Sequence, residues 1–439
     1  MNSDALATLA VVALLVVSGI GGFAGVGSAA SPATTQSSDS YVVEQGELCQ
    51  PIEPLSTNRT VDSFYDYRNH ETNPDSDPED RQYSSYGTAH LQEDDTSLLM
   101  LHEGTDGMSL VVVHDRVHGD SDGGVATFDI VGLPGESEWV VQDDLYEGES
   151  NMAEWDDGDG WASASWIWAD GRTDGGAING GLNDEFAVTI HPAFNENSPF
   201  YDDDDLYDPE FHEGGEITDW QILSGDSDDP DRTPLPSLEE PVTIRTGTCD
   251  DPSITYDRSD DDVTATITDA SPEDEFSLEI TGESDGVVQF ERLELTDLDG
   301  DQSFAFEHAA PDGLPASPDD ADSLGGLTVT GESTDQPGAV TFSVDAELFD
   351  EDDLEPEAIA LYEVNGSSWN ESETTIHDES GETYQFSASV SSLDGFVVAQ
   401  QDVEPAEDSQ TYPMPGFGAG AAIGVVATLS LLWAVRYRE

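Results

Sequence analysis

Four tryptophans lie close together in the sequence and could contact a flat apolar ligand: Trp155, Trp161, Trp166 and Trp168. Trp166 and Trp168 are two residues apart, so in a β-strand they share one face. Exposed indole rings can stack on sugar rings and on other flat apolar surfaces. Packing of these rings in a domain core is the interpretation we favour, and ligand contact by Trp166 and Trp168 is the alternative.

Carboxylates next to glycines form a second candidate site. Asp156, Asp157 and Asp159 surround one glycine, and residues 297–301 show a similar pattern. Calcium takes oxygen ligands, which loops of this kind can gather. Neither run has the full spacing of an EF-hand with its distal glutamate, and in so acidic a chain accidental clusters are the favoured explanation. Calcium at Asp156, Asp157 and Asp159 is therefore an option, and we expect no other cofactor.

Two further patterns match functional motifs without their structural context. His114 and His118 have the spacing of zinc ligands on a helix, and residues 119–123 read Gly-Asp-Ser-Asp-Gly, the pattern of a hydrolase nucleophile elbow. Three valines precede the histidines, glycines follow them, and residues 125–131 have the composition of a strand. Because both motifs need a helix there, we predict no zinc site, no catalytic residues and a non-enzymatic chain.

The elements that would position these residues are short apolar runs separated by Gly, Asp, Asn and Pro clusters, and none has convincing helical periodicity. These runs predict a β-rich domain over residues 41–250, a β-sandwich or a related fold. The runs are 98–101, 110–113, 125–131, 161–168, 186–190 and 217–223.

Apolar residues alternate more clearly between residues 251 and 401. Every second residue is apolar over 263–267, 276–280, 340–344 and 384–390. Such alternation puts one face of each strand in a core and the other in solvent. We therefore predict a second β-sandwich and an all-β fold class, completed by an N-terminal signal helix and a C-terminal transmembrane helix.

The only cysteines, Cys49 and Cys249, bracket the first predicted domain. In an exported protein two cysteines pair by default, and two free thiols are the alternative. A disulfide there would place the first and last strands of the domain side by side.

The charge is extreme: 96 acidic residues face 11 arginines and no lysine, for a formal net charge of -85. Molar salt shortens the screening length to about 3 Å, so surface carboxylates in brine hardly repel one another. Hydrophobic residues still make up 36% of the chain, enough for cores. The composition indicates a halophilic protein and makes nucleic-acid binding improbable, because phosphates would meet no basic patch.

The two ends have the composition of export and anchoring segments. Residues 1–30 run from an apolar stretch to small residues, the order of a signal peptide, with an uncleaved anchor as the alternative. A linker, 31–40, follows. Near the other end an acidic linker, 402–414, precedes an uncharged run, 417–435, that as a helix would span about 28 Å and is followed by Arg436 and Arg438. Basic residues after such a run stay in the cytoplasm.

Pro415, Gly416 and Phe417, the apolar run and the two arginines together resemble the PGF-CTERM sorting signal of archaeal surface proteins. The resemblance covers residues 415–439. It implies cleavage near Pro-Gly-Phe by an archaeosortase and attachment of the new C-terminus to a membrane lipid.

A second resemblance covers pieces of residues 340–398, including Val-Thr-Phe-Ser-Val at 340–344 and Phe-Val-Val at 396–398. These pieces are similar to the PGF-pre-PGF domain, a module that lies before the sorting signal and implies location, not chemistry. Asn58, Asn365 and Asn370 begin acceptor sequons for N-glycosylation.

These observations predict a non-enzymatic, lipid-anchored glycoprotein of the cell surface or S-layer region of a halophilic archaeon. Its expected partners are the membrane, an archaeosortase during maturation, and surface-layer proteins or glycans, with no nucleic acid. The alternative is a surface-tethered ligand-binding or carbohydrate-binding protein, or an extracellular hydrolase, that uses the segment from Trp155 to Trp168.

Overall fold

The computed structural model describes residues 40–77, 81–144, 152–201, 214–259, 262–280, 286–309, 321–331, 334, 336–351, 355–365, 368–380 and 383–401. Over these residues the protein is nearly all β, which confirms the predicted fold class at that level. The predicted signal helix, the transmembrane helix and Pro415, Gly416 and Phe417 lie outside the described residues. Among the described residues there is no helix with the length and apolar character needed to cross a bilayer.

The strands before residue 250 are accompanied by one short helix, α1 (Val61–Tyr65). In chain order they are β1 (Tyr41–Gln45), β2 (Leu48–Ile52), β3 (Leu55–Ser56), β4 (Thr96–Gly104), β5 (Gly107–His114), β6 (Gly123–Val131), β7 (Glu138–Gln142), β8 (Ala153–Gly158), β9 (Trp161–Ala169), β10 (Asp174–Asn179), β11 (Ala187–Phe194), β12 (Asp219–Ser224), β13 (Asp231–Pro234) and β14 (Val242–Thr246).

A second series of strands follows, with one short helix, α2 (Ala346–Glu351). In chain order they are β15 (Ser253–Ser259), β16 (Asp262–Ala270), β17 (Glu275–Glu279), β18 (Val288–Thr296), β19 (Gly300–Ala309), β20 (Ala321–Gly331), β21 (Gly338–Asp345), β22 (Ile359–Asn365), β23 (Ser368–Glu371), β24 (Thr374–Ser380), β25 (Thr383–Val390) and β26 (Gly395–Gln401). Turns of 3-10 helix cover Asn195–Asn197 and Pro356–Ala358.

The first series forms two sheets, which we call the N-terminal sheet pair. Their strand orders are β2-β1-β14-β11-β6-β9-β8 and β13-β12-β4-β5-β10-β7, with β3 paired to β4 at one side. Pairing is antiparallel except where β4 lies parallel to β12 and to β3. Apolar side chains of both sheets meet in one buried cluster, for example Phe128 and Trp166 of the first sheet with Leu99 and Val112 of the second.

The second of these sheets is buried on both faces. Leu110 and Val112 of β5 face the other sheet, whereas Val111 and Val113 pack against residues of α1 in a separate cluster. A strand covered on both faces reads as a continuous apolar run, which is why residues 110–113 show no alternation. The layer that covers this outer face includes α1, and it carries Tyr65 and Tyr67 of the site described below.

The second series forms two further sheets, which we call the C-terminal sheet pair. Their orders are β15-β16-β19-β20-β26-β22-β23 and β17-β18-β21-β25-β24, all antiparallel. The alternating residues meet between the sheets, with Val263 and Phe304 on one side and Phe342 and Phe386 on the other. The regular alternation therefore produces a core between the two sheets. A smaller buried cluster, which includes Val397 and Ala399, covers the outer face of β22 and β26.

The predicted disulfide between Cys49 and Cys249 is present, with 5.8 Å between the Cα atoms. It joins β2 to the turn after β14, and β1 lies between these two strands, paired with each of them. The first and last strands of the N-terminal sheet pair are thus neighbours, as expected from the positions of the cysteines.

Tyr256 of β15 connects the two sheet pairs and is only 2% exposed. Its backbone N–H donates to Thr189 Oγ1 at 3.0 Å, and His191 Nε2 donates to its carbonyl oxygen at 2.9 Å. Its ring packs on Gly132, where an added Cβ would lie 2.4 Å from a ring carbon. The glycine is required both by this contact and by its φ of +82°.

Candidate functional site

Trp166 and Trp168 share one face of β9, as predicted, but that face is the core face. Their side chains are 0% and 1% exposed, and both belong to the buried cluster between the N-terminal sheets. Trp166 meets the edges of neighbouring aromatic rings, whereas Trp168 stacks on His114 with 5.3 Å between ring centroids. This burial favours the packing interpretation over ligand contact.

The histidine and serine motifs end a strand and enter a turn. His114 is the last residue of β5, and its Nδ1 lies 3.0 Å from Ser97 Oγ. Ser121 donates its hydroxyl hydrogen to Asp115, which also accepts from Trp168 Nε1 at 2.9 Å. Ser121 and His114 therefore have different partners. The two motifs form neither a catalytic triad nor a pair of zinc ligands on a helix.

Asp156, Asp157 and Asp159 are exposed, and the first two lie on an edge strand rather than a loop. Consecutive strand residues point to opposite faces, so Asp156 and Asp157 diverge. In the second run, Asp301 accepts the backbone N–H of Asp269. The structure does not gather either run into a group of ligands.

A different acidic group converges in the N-terminal sheet pair. Asp143 and Asp144 form the turn after β7, and Asp174 begins β10, the strand that pairs with β7. One carboxylate oxygen from each lies within 4.8 Å of those of the others, and in the described part of the chain no other set of three metal-binding side chains does so. We call Asp143, Asp144 and Asp174 the aspartate cluster.

Two tyrosines on the covering layer orient the aspartate cluster. Tyr65, at the end of α1, donates its hydroxyl hydrogen to Asp143 Oδ2 at 2.8 Å. Tyr67 donates to Asp144 Oδ1 at 3.0 Å and accepts the backbone N–H of the same residue. The helix has Thr60 as its N-cap and ends at Asp66 in the left-handed region, which turns the chain so that both tyrosines reach the cluster.

The remaining oxygens of the cluster are buried without hydrogen bonds. Asp143 and Asp174 are both 0% exposed, and Asp143 Oδ1, Asp174 Oδ1 and Asp174 Oδ2 have no donor within reach. Buried carboxylate oxygens normally have partners, because an unsatisfied one keeps its full cost of desolvation. These three oxygens are therefore the ones available to a ligand.

Burial also changes the acidity of the cluster. It raises the pKa of Asp144 to about 6, although the nearby Tyr67, Arg172 and Arg68 act in the opposite direction. Burial, and then repulsion from the neighbouring carboxylates, raises the pKa of Asp174 well above its usual range. The pKa of Asp143 is raised in the same way. Three bare anions are unstable here, so the cluster needs protons or a cation.

The nearest arginines do not supply that cation by direct contact. Arg172 and Arg68 lower the pKa of Asp144 through their charge, but neither forms an ion pair with a carboxylate in the part of the chain that the structure describes. The Arg68 guanidinium instead lies over the Tyr83 ring at 4.3 Å. The arrangement suits a hard cation that prefers oxygen ligands.

Of the sequons, Asn58 is exposed beside α1, and Asn370 is exposed on β23, while Asn365 ends β22. The exposed positions of Asn58 and Asn370 are open to modification.

Comparison with known proteins adds no family. No family model matches the chain, and no curated protein is significantly similar to it.

Proposed function

We propose that this protein is a non-enzymatic component of the cell surface of a halophilic archaeon, anchored at its C-terminus. Its two sheet pairs are two extracellular β-sandwich domains, held outside the membrane by the segment after residue 401. The N-terminal segment is the export signal, and an archaeosortase replaces the C-terminal helix by a lipid.

The observation that carries this proposal is the order of features between residues 415 and 439. Pro-Gly-Phe is followed by an uncharged run long enough to span a bilayer, and then by two of the chain's 11 basic residues. Such a run stops transfer, and arginines that follow it stay in the cytoplasm. Everything between the export signal and this run is then outside.

The structure supports an extracellular, structural role in two ways. The Cys49–Cys249 disulfide belongs to an oxidising compartment, since cytosolic thiols are kept reduced. The tryptophans on which a carbohydrate-binding role depended fill the core instead. The partners we propose are surface-layer proteins or glycans, met by the carboxylate-rich surface in brine.

Intact-mass analysis of the protein from the envelope fraction tests the proposal. We expect a mass that lacks residues 1–30 and the C-terminal tail and carries an added lipid, plus glycans where Asn58 or Asn370 is used. Replacing Pro415, Gly416 and Phe417 by alanine should leave the tail uncut. Replacing Gln410, Thr411 and Tyr412 by alanine is the matched control and should leave processing intact. A soluble product in the medium with an unmodified C-terminus would contradict the proposal.

A further inference from the structure

The aspartate cluster has the composition of a cation site. It lacks the hydrogen bonds that would saturate a polar network with a purely structural role. Its side chains offer six carboxylate oxygens, of which three are buried and unpartnered, on Asp143 and Asp174. In a network whose role is only structural, donors would saturate those oxygens, as the Tyr65 and Tyr67 hydroxyls saturate one oxygen each. The free oxygens belong to the turn after β7 and to the start of β10, and these two strands are hydrogen-bonded neighbours.

We propose that Asp143, Asp144 and Asp174 bind a calcium ion that joins the turn after β7 to the start of β10. Tyr65 and Tyr67 are positioning residues, because each hydrogen-bonds one oxygen of a carboxylate and leaves the other oxygen for the ion. This proposal is based on the geometry of the cluster and does not depend on the location of the protein in the cell.

The kind and arrangement of the ligands favour calcium over magnesium. Magnesium demands near-ideal octahedral geometry and keeps several of its waters, whereas calcium takes six to eight oxygen ligands in flexible geometry. The cluster oxygens lie within 4.8 Å of one another, close enough for one ion to contact all three side chains. Calcium also accepts irregular coordination and bidentate carboxylates, which suits three aspartates from two elements.

The charge balance is also favourable. Three carboxylates and one calcium ion leave a single negative charge, which lies in the field of Arg172 and Arg68. Because neither arginine contacts an oxygen of the cluster, a bound ion does not have to displace an ion pair. The competing occupant is the proton, which would also neutralise the buried carboxylates.

Terbium, a luminescent substitute for calcium, separates these two occupants. The full chain is stripped with chelator in molar KCl, which screens its exposed carboxylates, and terbium is added with excitation of the aromatic side chains. We expect one tight site whose luminescence is sensitised by Tyr65 and Tyr67 and is displaced by calcium. Saturating calcium should raise the Tm of the stripped protein by roughly 5–10 °C.

Asp174→Asn and Asp143→Asn preserve shape while removing one ligand charge each. Both variants should lose the tight site and the calcium-dependent rise in Tm. Near-UV circular dichroism will show that they remain folded, which we expect because each replaces a buried anion by a neutral amide. The triple variant Asp156→Asn, Asp157→Asn and Asp159→Asn removes three exposed carboxylates, more than either site variant, and should bind as the parent does.

Three results would overturn the proposal. The first is a parent chain whose Tm and luminescence do not respond to calcium and terbium. The second is a tight site that persists in Asp174→Asn and Asp143→Asn, and the third is a site lost only in the triple variant. The parent measurement stands even if a variant fails to fold.

Discussion

The His102 side chain on β4 is buried near the charged side chains of Asp106 and Glu103. Its ring stacks on Phe64 with 4.1 Å between centroids, and its Nε2 lies 2.8 Å from Thr57 Oγ1. Burial lowers its pKa to about 4, although Asp106 and Glu103 act to raise it. In the folded protein His102 is therefore neutral through the whole range in which a free histidine gains its proton.

This lowered pKa predicts that acid destabilises the fold through His102. An unfolded histidine, with a pKa of about 6.5, takes up a proton before the folded one does. The contribution of His102 to the free energy of unfolding should therefore fall as pH drops from about 6.5 towards 4, by up to about 1.4 kcal/mol per pH unit, and should level off below pH 4. Chemical denaturation at a series of pH values in molar salt measures it.

His102→Gln isolates that contribution, because glutamine can still hydrogen-bond Thr57 but does not titrate. The difference in stability between parent and variant should shrink or reverse as pH falls from 6.5 to 4.5. His90→Gln, at an exposed position, controls for the loss of a histidine. Parallel curves for the parent and His102→Gln would show that His102 is not protonated on unfolding.

At the scale of elements, β1 depends on the cross-link between its neighbours. It lies between β2 and β14, and the disulfide closes a loop of 200 residues around the N-terminal sheet pair. Opening so long a loop increases the entropy of the unfolded chain, which the chain-entropy model values at about 5 kcal/mol.

Replacing Cys49 and Cys249 by alanine should therefore lower the stability of the N-terminal sheet pair by several kcal/mol. Hydrogen exchange should accelerate first in β1, β2 and β14, while the C-terminal sheet pair keeps its protection. Adding reductant should lower the Tm of the parent to that of the double variant and leave the variant unchanged. Equal Tm values for oxidised parent and double variant would contradict this prediction.

The strands that could be predicted are those whose surroundings are simple. β16 alternates because one face meets the core and the other meets solvent, and residues 110–113 are apolar because β5 is covered on both faces. By contrast, β10 reads Asp-Gly-Gly-Ala-Ile-Asn, a composition typical of a turn. Its glycines fit because Gly175 and Gly176 lie against the backbones of β5 and β7, where a Cβ would meet carbonyl oxygens.

The aspartate cluster could not be found by spacing, because its members are brought together by strand pairing. Asp174 lies thirty positions beyond Asp144 in the numbering, and in a chain with 96 acidic residues a pair such as Asp143 and Asp144 is unremarkable. The usable sequence signal was the pair Asp143-Asp144 directly after the apolar residues of β7. Tyr65 and Tyr67 lie far from this pair in the sequence. What distinguishes these aspartates is burial, which depends on the tertiary fold.

For the whole molecule, the contact made by Tyr256 decides whether the two sheet pairs unfold together. Besides its contacts to the N-terminal pair, its hydroxyl oxygen accepts the backbone N–H of Glu279 at 2.9 Å in the C-terminal pair. Arg258, two residues along, places its guanidinium 3.6 Å above the Trp161 ring. One strand, β15, thus belongs to one pair and packs on the other.

Tyr256→Ala should uncouple the pairs. Removing a buried aromatic side chain costs about 3–5 kcal/mol, and here the loss falls on the contact between the pairs. Calorimetry should resolve two transitions where the parent shows one, with the N-terminal transition near its original temperature. Tyr256→Phe, which keeps the ring and loses only the hydroxyl, should retain a single transition. A single lowered transition in Tyr256→Ala would show that other contacts couple the pairs.

The pairing of β1 with β14 has a consequence for the order of events when the chain leaves a ribosome or a translocation channel. In a polypeptide that emerges from its first residue, β1 lacks its partner β14, and Cys49 lacks its partner Cys249, until those later segments have emerged. The sheet that contains β1 therefore cannot be completed in the order in which its strands emerge. Until β14 is in place, the edges of β1 and β11 that pair with it stay open. An open sheet edge can pair with another chain, so these edges have to be shielded until β14 completes the sheet.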